Sequence, residues 1–270
     1  MAIAHINGLS IHHERRGSGP RLLLISGTGS DLRRKPGVFD MPFVHHFDLL
    51  SYDHRGMGQS GLPAAAGSMA DFAKDAAGLL DAVGWDTCSV VGISFGGMVA
   101  QELALRHPAR VERLVLACTS SGGQGGASFP LHEWHGLPLE AYAQRMLRQS
   151  DLRRDDDWVA AHPAAWNALM KQTLDAYQVG ADEPGREEGA RQQLEARRQH
   201  NTYERLPQLG MPVLIAGGQF DGIAPPPRLE ALHARIPDST LRMYEGGHLF
   251  FYQDRQAFPD MIDFLQAVRE

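Results

Sequence analysis

A hydroxyl nucleophile, a base to activate it and an acid to hold the base can each be placed on this chain from residue type and spacing. Gly92-Ile93-Ser94-Phe95-Gly96, followed by Gly97, stands directly after the apolar run Ser89–Val91. It stands directly before an apolar helix-like stretch that ends at His107-Pro108. A Gly-x-Ser-x-Gly match alone is common. Between a strand and a helix it predicts a sharp turn that strains the serine backbone, the glycines leaving room where strand and helix cross. The helix would aim its positive end and its free N–H groups at Ser94. A merely structural glycine-rich turn is the competing reading, and the strand–turn–helix context weighs against it.

A serine hydroxyl is a weak nucleophile without a base. Among thirteen histidines, His248 stands apart, because it follows Gly246-Gly247 just after the last strand-like run. A loop there can reach over the C-terminal edge of a sheet, where ligands bind in α/β proteins. Most of the other histidines lie in the N-terminal hairpin, at His45-His46 or between residues 120 and 206, where a solvated or hydrogen-bonded role is the simpler account. The base needs a carboxylate to fix its tautomer and stabilise its protonated form. Asp221 follows the run Val213–Ala216 and the turn Gly217-Gly218-Gln219-Phe220, again at the C-terminal end of a strand. Its alternative role is a turn aspartate before Gly222.

Charge developing on a carbonyl oxygen requires two backbone donors. The N–H of Phe95 is one candidate, and the loop Ser26-Gly27-Thr28-Gly29 offers Thr28 as the second. A generic tight turn and a phosphate-binding loop are the competing readings of that segment. The second is disfavoured, since neither a Gly-Lys-Ser/Thr nor a GxGxxG pattern is present.

The elements that must position these groups follow from hydrophobic patterning. A hairpin is predicted from Ala4–Ile6 and Leu9–Arg15 across Asn7-Gly8, a strong turn dipeptide. Leu22–Ile25, Phe47–Tyr52, Ser89–Val91, Val111–Ala117 and Val213–Ala216 are short continuous apolar runs, with Leu241–Tyr244 a weaker last one. Continuous runs suit strands buried on both faces. Helix-like segments alternate with them at Met69–Val83, Phe95–Arg106, Arg228–Arg235 and Gln256–Val268. The fold class is therefore α/β, a mostly parallel twisted sheet of about eight strands with helices on both faces.

From Ser120 to Leu206 the strand pattern vanishes. That span opens on Gly122-Gly123-Gln124-Gly125-Gly126, holds helix-like pieces at Leu139–Gln149, Trp158–Tyr177 and Glu187–Gln199, and carries three of the four tryptophans. It is too long for a plain loop. The expected organisation is a core of residues 1–119 and 207–270 with a helical cap, 120–206, over one end of the sheet. A helical excursion packed on the side of the sheet is the alternative. Trp134 and Trp158 are the cap residues expected to contact substrate.

Composition sets outer limits. With 43 % hydrophobic and 21 % charged residues the chain is globular, and its net charge of −6 argues against a nucleic-acid partner. Residues Met1 to Leu9 lack the pattern of a secretory signal, and no apolar run approaches the ~20 residues that cross a bilayer. A cytoplasmic protein without a membrane partner is expected. Cys88 and Cys118 fall at opposite ends of neighbouring strands and read as reduced structural thiols. No ligand-spaced His/Cys/Asp/Glu cluster appears, so neither metal nor organic cofactor is expected.

Together these segments resemble the α/β-hydrolase superfamily over nearly the whole chain. The resemblance is carried by Ser26-Gly27-Thr28-Gly29, by Asp53-His54-Arg55-Gly56-Met57-Gly58-Gln59-Ser60, by Gly92 to Gly97, by Asp221 and by Gly246-Gly247-His248. Within it the chain looks most like the group of 3-oxoadipate enol-lactonases, small carboxylesterases and cofactor-free haloperoxidases, on Gly97-Met98-Val99-Ala100-Gln101 and Gly247-His248-Leu249-Phe250. Ser94, Asp221, His248 is the chain order such a fold implies. Cys118-Thr119-Ser120 offers no carboxylate at the alternative acid position. Two departures matter: Ser26-Gly27 replaces the usual His-Gly, and Ser94 stands where related dehalogenases and epoxide hydrolases carry aspartate. Asp53–Ser60 resembles a family turn in which Arg55 would tie loops together.

The resemblance implies hydrolysis of a small carboxylic ester or lactone through an acyl-enzyme, with Ser94, Asp221 and His248 catalytic and Thr28 and Phe95 holding the oxyanion. Carbon–carbon hydrolysis of ring-cleavage products and perhydrolysis use the same groups and remain open. From another class, a ligand receptor on the same fold would bind a partner on ligand addition without useful turnover. Oligomeric state is left open.

Overall fold

The computed structural model describes residues 2–267, so Met1 and Val268, the expected end of the last helix, lie outside it. Side chains alternate across a strand, so a continuous apolar run divides between two cores. Leu23 and Ile25 join one cluster while Leu22 and Leu24 join the other. Val90 and Val91 divide in the same way, as do Leu214 and Ile215. Each fully buried aliphatic side chain contributes about 1.5–3 kcal/mol relative to exposure. Runs of this kind therefore fix the interior of the sheet.

Eight strands form one sheet: β1 Ala2–Ile6, β2 Leu9–Arg16, β3 Arg21–Ile25, β4 Asp48–Tyr52, β5 Cys88–Ile93, β6 Val111–Ala117, β7 Val213–Gly218 and β8 Ser239–Tyr244. Their order is β1-β2-β4-β3-β5-β6-β7-β8. The β1–β2 and β2–β4 pairs are antiparallel and the remaining pairs parallel. Asn7 and Gly8 both have positive φ, 52° and 78°, as a tight hairpin turn demands. The helices of the core are α1 Met69–Ala82, α2 Phe95–Arg106, α7 Pro226–Arg235 and α8 Ala257–Gln266. Side chains of α1, α2 and α7 fill one core cluster. Those of α8 and the turns Val38–Asp40 and Pro42–His45 fill the other. Helices thus cover both faces, as expected.

Between β6 and β7 the chain makes four helices: α3 Leu139–Ser150, α4 Asp156–Ala161, α5 Pro163–Gln178 and α6 Arg186–Arg198. The expected single piece Trp158–Tyr177 is broken at His162-Pro163, because proline lacks an N–H and disfavours helical backbone in the residue before it. An isolated bridge between Gly122 and Asn201 draws the two ends of this insertion together. Further bonds tie it to the core. Thr202 Oγ1 donates to Gln101 Oε1 (2.5 Å), Phe129 N–H to Ile223 O (2.7 Å) and Leu152 N–H to Phe220 O (2.9 Å).

Cys88 begins β5 and Cys118 follows β6, at opposite edges of the sheet; both are free and buried. Burial pushes the Cys88 thiol up to about 12 and that of Cys118 well above its ordinary value. No helix among the described residues is long and apolar enough to cross a membrane.

Candidate active site

Ser94 sits between the end of β5 and the start of α2 with φ 56° and ψ −116°. That is a costly conformation for a residue with a Cβ, and it persists only where the surroundings enforce it. Ser94 N–H donates to Ala117 O in the next strand (2.8 Å), and Thr119 Oγ1 donates to Ser94 O (2.7 Å). A Cβ on Gly92 would lie 2.7 Å from both Ala100 Cβ and Gly97 Cα. One on Gly96 would overlap the Ile25 carbonyl. The glycines of the motif are therefore demanded by the crossing of strand and helix.

His248 Nε2 lies 2.9 Å from Ser94 Oγ, and its Nδ1 lies 2.7 Å from Asp221 Oδ2. Asp221 is wholly buried, and its other oxygen accepts from the N–H groups of Ile223 (2.7 Å) and Ala224 (3.0 Å). Those bonds fix the carboxylate, and the carboxylate fixes the imidazole with Nδ1 protonated and Nε2 free to accept from the serine. The loop bearing His248 is held from two sides. His248 N–H donates to Ser150 O at the end of α3 (2.5 Å), and Gly247 N–H donates to Gln253 Oε1 (2.6 Å). Such a chain can take a proton from a serine as it attacks an electrophile.

These groups open on a cleft of about 350 Å³, within the range of small-molecule sites. Its floor includes Ser94, His248 and the loop Ser26–Thr28; Leu131, Met146, Leu147 and Tyr177 of the insertion form part of its wall. Thr28, expected as an oxyanion donor, therefore borders the cleft. Phe95 begins α2, so its N–H has no acceptor within the helix, while its ring is fully buried. Trp134 lines an adjoining chamber of about 260 Å³ that also touches Thr28. Trp158 lines neither space, contrary to expectation. It sits on α4, before the break at Pro163, with its ring stacked 4.8 Å from His162.

Sequence reasoning missed His54. Its Nε2 donates to Ser26 O (3.0 Å), and its ring packs edge-on against Phe95 with 5.2 Å between centroids. Burial pulls this imidazole down to about 4, so it is a neutral donor at neutral pH. The loop that lacks the usual histidine is thus held by one from the segment after β4. Within that segment Asp53 accepts from Leu32 N–H (2.8 Å) and Gln59 N–H (3.0 Å). Arg55 makes a two-pronged bond to Asp75 of α1 (2.6 and 2.7 Å), a tie between loop and helix. Arg34 and Gln193 were missed as well, since nothing in their local sequence marks them. No group of three or more His, Cys, Asp or Glu among the described residues could hold a metal ion.

The family described as alpha/beta hydrolase fold matches residues 20–254. A poly(3-hydroxyalkanoate) depolymerase of Ectopseudomonas oleovorans is 27 % identical over 262 residues, with 92 % of this chain and 85 % of that protein covered. A candidate carbamate hydrolase, RutD, of Variovorax paradoxus is 30 % identical over 268 residues, with 96 % and 97 % covered. The solved enol-lactonase of Burkholderia xenovorans superposes with a TM-score of 0.79 at 22 % identity, covering 98 % of this chain and 100 % of that one; at this identity the likeness speaks for the fold alone. A strained serine between strand and helix, an eight-stranded sheet of this order and a family match across most of the sequence agree, and the chain belongs to the α/β-hydrolase fold family.

Proposed function

We propose that this protein is a serine hydrolase that cleaves a carboxylic ester or lactone of a small molecule through an acyl-enzyme. The observation that carries the reading is the unbroken line Asp221–His248–Ser94, with bonds of 2.7 and 2.9 Å, on the floor of a largely apolar cleft. In the proposed reaction His248 Nε2 takes the Ser94 proton as Oγ adds to the carbonyl carbon. The oxyanion accepts from the N–H groups of Phe95 and Thr28. Collapse expels the alcohol, which takes the proton back from His248, and water repeats the sequence to free the acid. Asp221 stabilises the imidazolium in both halves. The helical insertion 120–206 acts as the cap that encloses the substrate, and the scheme uses no metal or organic cofactor.

A fluorophosphonate probe is expected to label the native protein at Ser94, located by peptide mapping. Ser94→Ala is expected to stay folded and lose roughly 10⁴–10⁶ in kcat toward a p-nitrophenyl ester. Labelling at another serine, or a variant keeping a tenth of wild-type activity, overturns the proposal. A panel holding a short ester, a lactone, a carbamate and a ring-cleavage product then orders the acyl classes. The carbamate is included because of the RutD relative at 30 % identity.

A further inference from the structure

The cleft has a side chamber whose wall is apolar over most of its extent, with a few polar groups set into it. Thr28, Arg34 and Tyr177 border both spaces, and beyond them the chamber is bounded by Trp134, Arg186 and Gln193. Four polar atoms on these walls are buried without a hydrogen-bonding partner among the described residues: Arg34 Nε, Arg186 Nη1, Gln193 Nε2 and Thr28 Oγ1. The first three are donors only. The Gln193 amide is oriented by Gly29 N–H, which donates to its Oε1 (2.7 Å) and leaves the NH₂ as the unpaired end.

The hydrogen bonds of two nearby carboxylates go to Arg33 and Arg186 and not to Arg34. Asp31 accepts from Arg33 (2.7 and 2.9 Å) and from Arg186 Nη2 (3.1 Å). Glu183 accepts from Arg33 (2.5 and 2.8 Å). Two carboxylates are thus taken up by Arg33 and Arg186, and Arg34 pairs with neither. Its guanidinium lies over the Tyr177 ring, 5.3 Å from the centroid. Burial, with the Arg186 cation nearby, lowers its affinity for a proton, yet an arginine remains charged at neutral pH. Arg34 Nε is buried without an acceptor, and a hydrogen bond left unmade in that way is costly. Three donors and a hydroxyl on the walls of one chamber thus lack acceptors or partners, and among the described residues no carboxylate is hydrogen-bonded to the Arg34 cation.

We infer that this chamber seats a carboxylate of the substrate, so that the molecule cleaved at Ser94 bears a free carboxylate besides its ester or lactone. The inference rests on the serine-hydrolase reading and names its substrate class. A guanidinium fork matches a carboxylate with two parallel bonds, and Gln193 and Thr28 supply the remaining donors. Because Arg34 stands at the seam of the two spaces, a carboxylate there leaves the rest of the molecule in the cleft beside Ser94. A single guanidinium without a hydrogen-bonded carboxylate suits a monoanion better than a phosphate dianion.

Two p-nitrophenyl esters of equal acyl length separate the possibilities, the valerate with a methyl end and the glutarate hemiester with a carboxylate end. The wild type is expected to prefer the glutarate by at least tenfold in kcat/KM. Arg34→Met is expected to bring that ratio to near one, and Arg34→Lys to retain part of it. Because the readout is a ratio, a general loss of activity cancels. Gln193→Glu, which keeps the acceptor for Gly29 and supplies a carboxylate from within, is expected to erase the preference too, and it serves if Arg34→Met does not fold. Calorimetry with Ser94→Ala judges the chamber without turnover: glutarate is expected to bind, and dimethyl glutarate and inorganic phosphate to bind more weakly. Failure of both esters with retained glutarate binding would sink the hydrolase reading and leave the chamber standing. No preference in an active wild type, a preference that survives Arg34→Met, or phosphate bound in place of glutarate would overturn the inference.

Discussion

Asp221 holds two backbone N–H groups with one carboxylate oxygen and His248 with the other, so its charge and its geometry can be separated by experiment. In Asp221→Asn the carbonyl can keep the backbone bonds while the amide NH₂ faces Nδ1. That nitrogen must then accept, which moves the imidazole proton to Nε2 and removes the base from Ser94. A loss of roughly 10⁴ in kcat with an unchanged melting temperature is expected, by analogy with the same exchange in a serine protease. A variant within tenfold of wild type would show that His248 needs no carboxylate. His54 acts one step further out, since it touches the Ser26 carbonyl and the Phe95 ring but borders no part of the cleft.

At the scale of elements, the crossing of β5 and α2 leaves no room for one added carbon. Gly92→Ala would press against Ala100 and Gly97, both 2.7 Å from the new atom. Overpacking of this kind costs about 1–3 kcal/mol. A fall in the urea midpoint is therefore expected, together with slower labelling of Ser94 as the turn relaxes. The helical insertion gives a second contrast. Trp134 lines the side chamber whereas Trp158 lies on α4 against His162. Trp134→Ala is expected to change relative kcat/KM between small and bulky esters by about 1–3 kcal/mol. Trp158→Ala should leave that ranking as it is. Kinetics on three esters of graded size read both, and a reordering by Trp158→Ala would place the wrong helix over the substrate.

Across the whole molecule, acid sensitivity should come first from two histidines that burial keeps neutral. His54 and His200 are each pulled from 6.5 down to about 4. Between those values the unfolded chain binds more protons than the folded one, so stability rises with pH. Their contribution is complete above pH 6.5 and lost as pH falls toward 4. Each is worth about 3 kcal/mol at full extent, at 1.36 kcal/mol per unit. Burial alone would push the carboxyls of Asp31 and Asp151 up, but bonds from Arg33 and Arg153 hold them below their ordinary value. They therefore weaken the fold only at lower pH. Urea midpoints at pH 7.5, 5.5 and 4.5 are expected to fall steadily, and the His54→Gln, His200→Gln pair to flatten the slope. An equal slope in that double variant would assign the acid response elsewhere.

How much of this was legible beforehand depends on the range over which each feature is encoded. The alternation of strands and helices was readable because two-sided burial is written in runs of four to seven residues, Leu22–Ile25 and Val111–Ala117 among them. The turn at Ser94 was readable because its steric demands fall on glycines two positions either side. The sequence also marked Asp221 and His248, each by a position just past a strand. Their distances to one another, across 27 and 154 positions of chain, are set by the register of β5, β7 and β8. The break at Pro163 was written in the sequence and passed over. Its consequence, that Trp158 stands off the cleft while Tyr177 lines it, was not, because the direction of a helix after a break is set by what it packs on. Arg34 is the furthest case. One arginine in Arg33-Arg34-Lys35 looks like the next, and only the fold gives Asp31 and Glu183 to Arg33 and leaves Arg34 Nε buried without an acceptor on the wall of the cleft that holds Ser94.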